Sequence, residues 1–476
     1  MDASGKPKPF LNLCRRLGRV VLHFAALCLQ SYPYLLLYIA VVYLRPQEFM
    51  PEFKGTPLVP VLLLTTLGLW LIGQNKNFEA PQHRLILGLV AAMFISILLT
   101  GRPALAVSGV EDFLPTLLLF YVTSTSIVSL GRFKAMCLLL TIVMTVISVH
   151  GILQFEDEFS TGWTGSRLVD GRITYIGFLN DPNDLSMAFL MTLPLTLYLA
   201  RVWYWLPVRL ALWFAACINL YGIFLCNSRG SLLGLISMLF FYSVIRYGLK
   251  RSAIVGPLMI LPILLLAPSR ISEMSADEES AAGRVDAWFE GFDMFKSHPL
   301  FGIGKGLFTE HSWLTAHNSF VLAIAELGTV GYFFWLAIVV ISILMLHRIL
   351  SQKNAPGEIA LAPKIQHRSS NQIPPTGPSG VESAPLAWDD VATAATSLSY
   401  SLIGSLVAAF FLSRSYVVFL FLLFALIIAV FQMARTRWPQ IPSFRANEMI
   451  GMLFLVEICT MVFLWLVTRV LLITSG

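Results

Sequence analysis

Charge is what this chain has least of. Asp, Glu, Lys and Arg make up 13% of its 476 residues against 57% hydrophobic. With a mean hydropathy of +0.74, too little polar surface remains to cover a water-soluble globule. That excludes a soluble enzyme and predicts an integral membrane protein. Cysteine is also sparse: Cys14, Cys28, Cys137, Cys217, Cys226 and Cys459 show no metal or redox spacing. Five of them fall in apolar stretches, where they read as core packing. No cleavable signal peptide is visible either. Arg15, Arg16 and Arg19 precede an apolar run far longer than a signal core, with no clear small-residue cleavage site, so that run reads as an anchor.

What the chain has instead is long hydrophobic runs. A hydrocarbon core of about 30 Å needs roughly 20 apolar residues per helix. Thirteen such stretches lie near 20–44, 57–73, 84–100, 110–129, 133–153, 183–200, 209–226, 230–245, 252–268, 317–346, 393–412, 415–433 and 449–472. The expected fold is all-α and polytopic, with about 12 to 14 transmembrane helices. Pro33 leaves open whether the first stretch is one span, two, or an interfacial helix followed by a span.

Basic residues are retained on the cytoplasmic side during insertion. With a cytoplasmic amino terminus, the inner segments hold 21 of the 33 basic residues and the outer ones 12. The net charge of +6 then reflects topology, and nucleic acid is not an expected partner. The 269–316 segment falls outside, and its eight acidic against four basic residues suit that side.

The chain therefore divides into about nine amino-terminal spans (1–268), a long external loop (269–316), a span at 317–346, a cytoplasmic linker (347–392) and carboxy-terminal spans (393–476). The linker is rich in Pro, Ser, Gln and Asn and cannot bury an apolar core. The external loop carries Val285, Trp288, Phe289, Phe292 and Phe295 at spacings of three and four. That pattern predicts an amphipathic helix whose aromatic face meets either the membrane interface or a groove in the bundle. His298-Pro299 should stop it, and Gly302, Gly304 and Gly306 should form a flexible turn.

Gly283-Arg284, Trp288, His298-Pro299-Leu300-Phe301-Gly302-Ile303-Gly304, His317-Asn318-Ser319-Phe320, Glu326-Leu327-Gly328 and Gly331 follow in order. Together they resemble the O-antigen ligase and polymerase superfamily. Asn227-Ser228-Arg229-Gly230-Ser231 is similar to the Ser-Arg-Gly element that opens a membrane helix there. The resemblance is tightest over 227–346, and the long linker departs from compact members. It implies an inverting, metal-independent glycosyltransferase of the bacterial inner membrane, working at the periplasmic face without a cofactor. The donor would be a glycan on undecaprenyl diphosphate. The acceptor would be lipid A-core in a ligase, a second lipid-linked glycan in a polymerase, or protein in a smaller group.

The residues themselves are compatible with that chemistry. A departing lipid diphosphate needs positive charge where negative charge grows, which guanidinium groups supply by bidentate contacts. Arg229 and Arg284 are the candidates. The bland readings are that Arg229 snorkels at the interface and that Arg284 pairs with Glu278, Glu279 or Asp286. His317 begins a span, whose positive end disfavours imidazolium, so a neutral imidazole could take the acceptor's proton. Otherwise it is a capping or interfacial histidine.

Lys305, Asn318 and His298 are secondary candidates: Lys305 as a further phosphate contact, Asn318 as a helix cap or an orienting group. Glu326 and Glu457 read as structural hydrogen bonders to other helices. Asn180-Asp181-Pro182-Asn183-Asp184 reads as a turn and helix cap that still could touch a sugar. Gly302-Ile303-Gly304-Lys305-Gly306 lacks the strand and helix of a nucleotide loop. A carrier or flippase for lipid-linked sugars, which would make no glycosidic bond, is the rival class.

Overall fold

The computed structural model describes residues 29–73, 76–156, 165–266, 278–352, 387–444 and 446–475. The amino-terminal basic cluster, Cys14, Cys28 and most of the Pro-rich linker lie outside the described residues. The chain is an all-α membrane protein. Its long helices are α1 (Ser31–Leu44), α2 (Leu58–Ile72), α3 (Gln82–Leu98), α4 (Pro103–Glu111), α5 (Leu114–Ser126) and α6 (Leu130–Glu156). After a hairpin, β1 (Ser166–Val169) and β2 (Arg172–Tyr175), come α7 (Pro182–Val202), α8 (Leu206–Cys226), α9 (Arg229–Tyr247), α10 (Leu249–Leu266) and α11 (Glu278–Ser297). Then follow α12 (Ser319–Leu350), α13 (Trp388–Phe410), α14 (Val418–Arg437) and α15 (Ala446–Ser475). Among the described residues, 9 helices are long and apolar enough to cross a membrane, and Leu58–Ile72 and Gln82–Leu98 are apolar but shorter.

The core sits around α7 and α14, whose residues are almost entirely buried. Small residues let helices approach. A Cβ on Gly234 of α9 would stand 2.7 Å from the Gly404 carbonyl of α13, so these helices pack backbone to backbone, as small residues allow within a membrane. Of the cysteines, Cys137 and Cys226 are buried as expected, whereas Cys217 and Cys459 are exposed. Both lie on outward helix faces, where lipid accepts an apolar thiol as readily as a core does.

The amphipathic segment forms α11 and ends at Ser297, immediately before His298-Pro299. Its aromatic face enters the bundle: Trp288 and Phe292 are buried, and Trp288 meets Phe410 of α13 edge to face.

The chain after Pro299 replaces part of another helix's hydrogen bonding. α12 is broken at Gly328 (φ 63, ψ −166). There Ile303 N donates to Ala325 O (3.0 Å) and Gly304 N to Glu326 O (3.0 Å), while Thr329 N and Val330 N donate to Pro299 O (2.9 Å) and Leu300 O (3.0 Å). The 299–304 segment thus lies beside the break like a strand, satisfying groups that would be costly to leave unpaired in a membrane. Gly302 and Gly328 face each other across it. The expected flexible turn is instead a fitted one.

Glu326 is buried and faces the Gly306 and Phe308 amides, Lys305 and the Tyr416 hydroxyl. Its surroundings are therefore mainly this loop rather than a neighbouring helix. Glu457 is also buried, and neither of its carboxyl oxygens has a hydrogen-bond partner among the described residues, so the expected bond to another helix is not formed there.

Candidate functional site

The site is built where α12 and α14 begin. Asn318 caps α12, its Oδ1 accepting from Phe320 N (2.9 Å) and Val321 N (3.2 Å). His317 stands one residue earlier in the left-handed region (φ 47), at a cost on the order of 1–2 kcal/mol. The loop between α13 and α14 holds it there. His317 N and Thr315 Oγ1 both donate to Ser413 Oγ, each at 2.7 Å. Ser319 Oγ donates to Leu412 O (2.6 Å) and accepts from Arg414 N (2.8 Å), and Ser415 Oγ donates to Ser319 O (2.6 Å).

The same loop presents Arg414. Its guanidinium pairs with the buried Asp184 carboxylate and, at 3.2 Å, with Asp181. Asp181 also caps α7, accepting from Asn183 N at 2.7 Å, so the Asp181-Pro182-Asn183 stretch is the expected turn and cap. Arg172, at the tip of the β1–β2 hairpin, binds Cys226 O (2.8 Å) and Asn183 Oδ1 (3.0 Å). It thereby joins the start of α7 to the turn before α9. Ser228 caps α9 from its side chain, and Arg229 is the first helical residue.

The charged groups lie within electrostatic reach of one another. Burial, then the Arg284 and Arg414 charges, lower the His317 pKa below its ordinary value, and Asp181 partly opposes them. Burial and then the Arg229 charge lower that of Arg284, which nevertheless stays protonated at physiological pH. Among the described residues no ion pair joins Arg284 to Asp286, and the side chains of Glu278 and Glu279 lie outside them. The amino ends of α7, α9, α12 and α14 thus meet around three guanidinium groups and one imidazole, with two carboxylates against them. Four helix starts add their own partial positive charge, a setting for an anion.

Of the secondary candidates, Asn318 is beside His317, and its Nδ2 is buried without a partner among the described residues. Lys305 directs its Nζ at Gly109 O (3.0 Å), between Asp112 and Glu326. His298 is exposed, with Nδ1 at 2.9 Å from Ser297 Oγ. It lines a separate cavity of about 460 Å³ with Arg102, Glu310 and His311.

Sequence reasoning missed Arg414 and the carboxylates that hold it. The signal was present: a lone arginine in the short break between two spans, on the side where basic residues are scarce.

Residues 187–336 match the family model described as O-antigen ligase. That segment, about a third of the chain, supports the O-antigen ligase/polymerase superfamily. The chain's function is accordingly of the O-antigen ligase or polymerase type, that of a membrane glycosyltransferase acting on lipid-linked glycans. A comparison with curated proteins finds no match. The O-antigen ligase segment includes Arg229, Arg284 and His317, whereas Arg172, Asp181, Asp184 and Arg414 lie beyond its two ends.

Asp184→Asn should expose what Arg414 contributes. It leaves a part-buried guanidinium with Asp181 as its one carboxylate partner among the described residues, and thermal unfolding in nanodiscs should show a loss of about 2 kcal/mol. An unchanged midpoint would mean that the pair is not needed to hold the loop.

Proposed function

We propose that this chain is an inverting, metal-independent glycosyltransferase that moves a glycan from undecaprenyl diphosphate to an acceptor hydroxyl at the periplasmic face of the bacterial inner membrane. O-antigen ligase-like transfer to lipid A-core is the favoured form. What carries the reading is the coupling of His317 to Arg284 and of Arg284 to Arg229, a base beside a pair of cations. Facing the periplasm follows from the basic inner segments, since Arg246, Lys250 and Arg251 follow the far end of α9 from Arg229.

In the reaction, neutral His317 takes the proton of the acceptor hydroxyl as its oxygen attacks the anomeric carbon. The bond from that carbon to the diphosphate oxygen breaks, and the electron pair leaves with the lipid diphosphate. Arg229 and Arg284 stabilise the growing negative charge. Attack opposite the leaving group inverts the anomeric centre. Burial, with the Arg284 and Arg414 charges, keeps the imidazole unprotonated, and Asp184 keeps Arg414 in place.

Purified protein in proteoliposomes, given lipid-linked donor and either lipid A-core or further donor, tests this by product size. A single capped product marks a ligase and a ladder marks a polymerase. Labelled donor crossing between leaflets with no new glycosidic bond would replace the enzyme by a flippase. Arg284→Gln should weaken donor binding, and normal binding by that variant would remove the diphosphate clamp.

A further inference from the structure

A second cavity, of about 950 Å³, opens on the other side of the β1–β2 hairpin. It is lined by Gln47, Glu48, Phe49, Lys54, Gln154 and Arg167, among others. Two amides, a carboxylate, two cations and an aromatic ring form the set of groups that binds sugars: planar amides and carboxylates match vicinal hydroxyls, and a ring face covers the apolar side of a pyranose. Gln47 adds a specific observation, because its Oε1 is buried with no hydrogen-bond partner among the described residues. A buried acceptor left unmet is costly, and a sugar hydroxyl would meet it.

The cavity is tied to the reacting centre by the hairpin. Asp170 and Gly171 make a tight two-residue turn, both with positive φ, and the register pairs Val169 with Arg172 and Ser166 with Tyr175. Arg172 therefore sits at the α7 and α9 starts while Gly165, Ser166, Arg167 and Ile176 line the cavity. Four residues of extended strand separate Arg172 from Ile176, about 13 Å. The hairpin is also anchored at its cavity end, where Tyr175 Oη donates to Leu44 O at 2.9 Å.

We propose that this cavity is a glycan subsite, which holds sugars of the donor oligosaccharide remote from the diphosphate while the first sugar lies at His317. The proposal rests on the glycosyltransferase reading for its place in the reaction, but the binding it asserts is separable from transfer.

The test uses the full chain in nanodiscs and two donors on the same lipid diphosphate, one with a single sugar and one with a complete oligosaccharide. Gln47→Leu and Arg167→Ala should raise KM for the long donor about tenfold relative to KM for the short one, the loss of one hydrogen bond. Equal changes for both donors, or no change for the long one, would overturn the subsite. If the unaltered protein transfers neither donor, the glycosyltransferase reading fails by itself, and saturation-transfer NMR with the free oligosaccharide decides the subsite. For that measurement the oligosaccharide is released by mild acid from the cells' own lipid-linked glycan. A signal lost in Gln47→Leu supports the subsite, and no signal with unaltered protein, or an equal one in the variant, overturns it.

Discussion

His317→Ala is expected to lower the turnover number for glycan transfer by about 10²–10⁴-fold, the usual contribution of a positioned general base, while donor affinity stays within about twofold because the guanidinium groups are untouched. Steady-state transfer together with direct donor binding measures both. The pH profile is the sharper test. His317 works as a base only when neutral, and its pKa is lowered by burial and by Arg284 and Arg414. Turnover should therefore rise with pH through a limb below 6.5, the ordinary histidine value, and be level at neutrality. Arg414→Gln removes one of the two cationic causes, so the limb should move to higher pH. If it stays where it was, Arg414 does not control the base, and undiminished transfer by His317→Ala would remove the base altogether.

The second large effect concerns the break in α12. Gly302→Ala would set its Cβ 2.3 Å from the backbone carbon of Glu326, and Gly328→Ala would set one 2.5 Å from that of Leu300. Both positions also have positive φ, 68 and 63. Backbone cannot yield as a side-chain end can, so the two segments must part and release four hydrogen bonds. Each substitution should cost on the order of 3–5 kcal/mol, a large share of the 5–15 kcal/mol that holds an ordinary domain. Monodisperse protein recovered in detergent should fall steeply for either one. Recovery equal to the unaltered chain would show that the 299–304 segment can leave the helix without consequence. Combining both should cost less than the sum, since the first already opens the contact that the second invades.

Much of this was legible beforehand, and the exceptions have physical causes. Spacings of three and four between Trp288, Phe292 and Phe295 define α11, because a helical face is a local property, and His298-Pro299 ends it for an equally local reason. Asp181-Pro182 announced a cap and delivered one. The break at Gly328 was not visible, since hydropathy reads composition and the hydrogen bonds that close the gap come from residues some 25 positions earlier. The β1–β2 hairpin escaped for a similar reason: its strands are four residues each, too short for alternation to stand out. Arg229, Arg284 and His317 were named from an ordered set of motifs, but Arg414 belongs to no such set. Its partners Asp181 and Asp184 stand some 230 positions away, and only folding brings them together.

The stitching of Ser413, Ser415 and Ser319 has a consequence for the chain's continuity. All the bonds that join the start of α12 to the start of α14 are noncovalent and lie at the end opposite Leu350 and Trp388. Two polypeptides divided anywhere between Gln352 and Ala387, expressed side by side, would each carry one half of that seam and should reassemble a working enzyme.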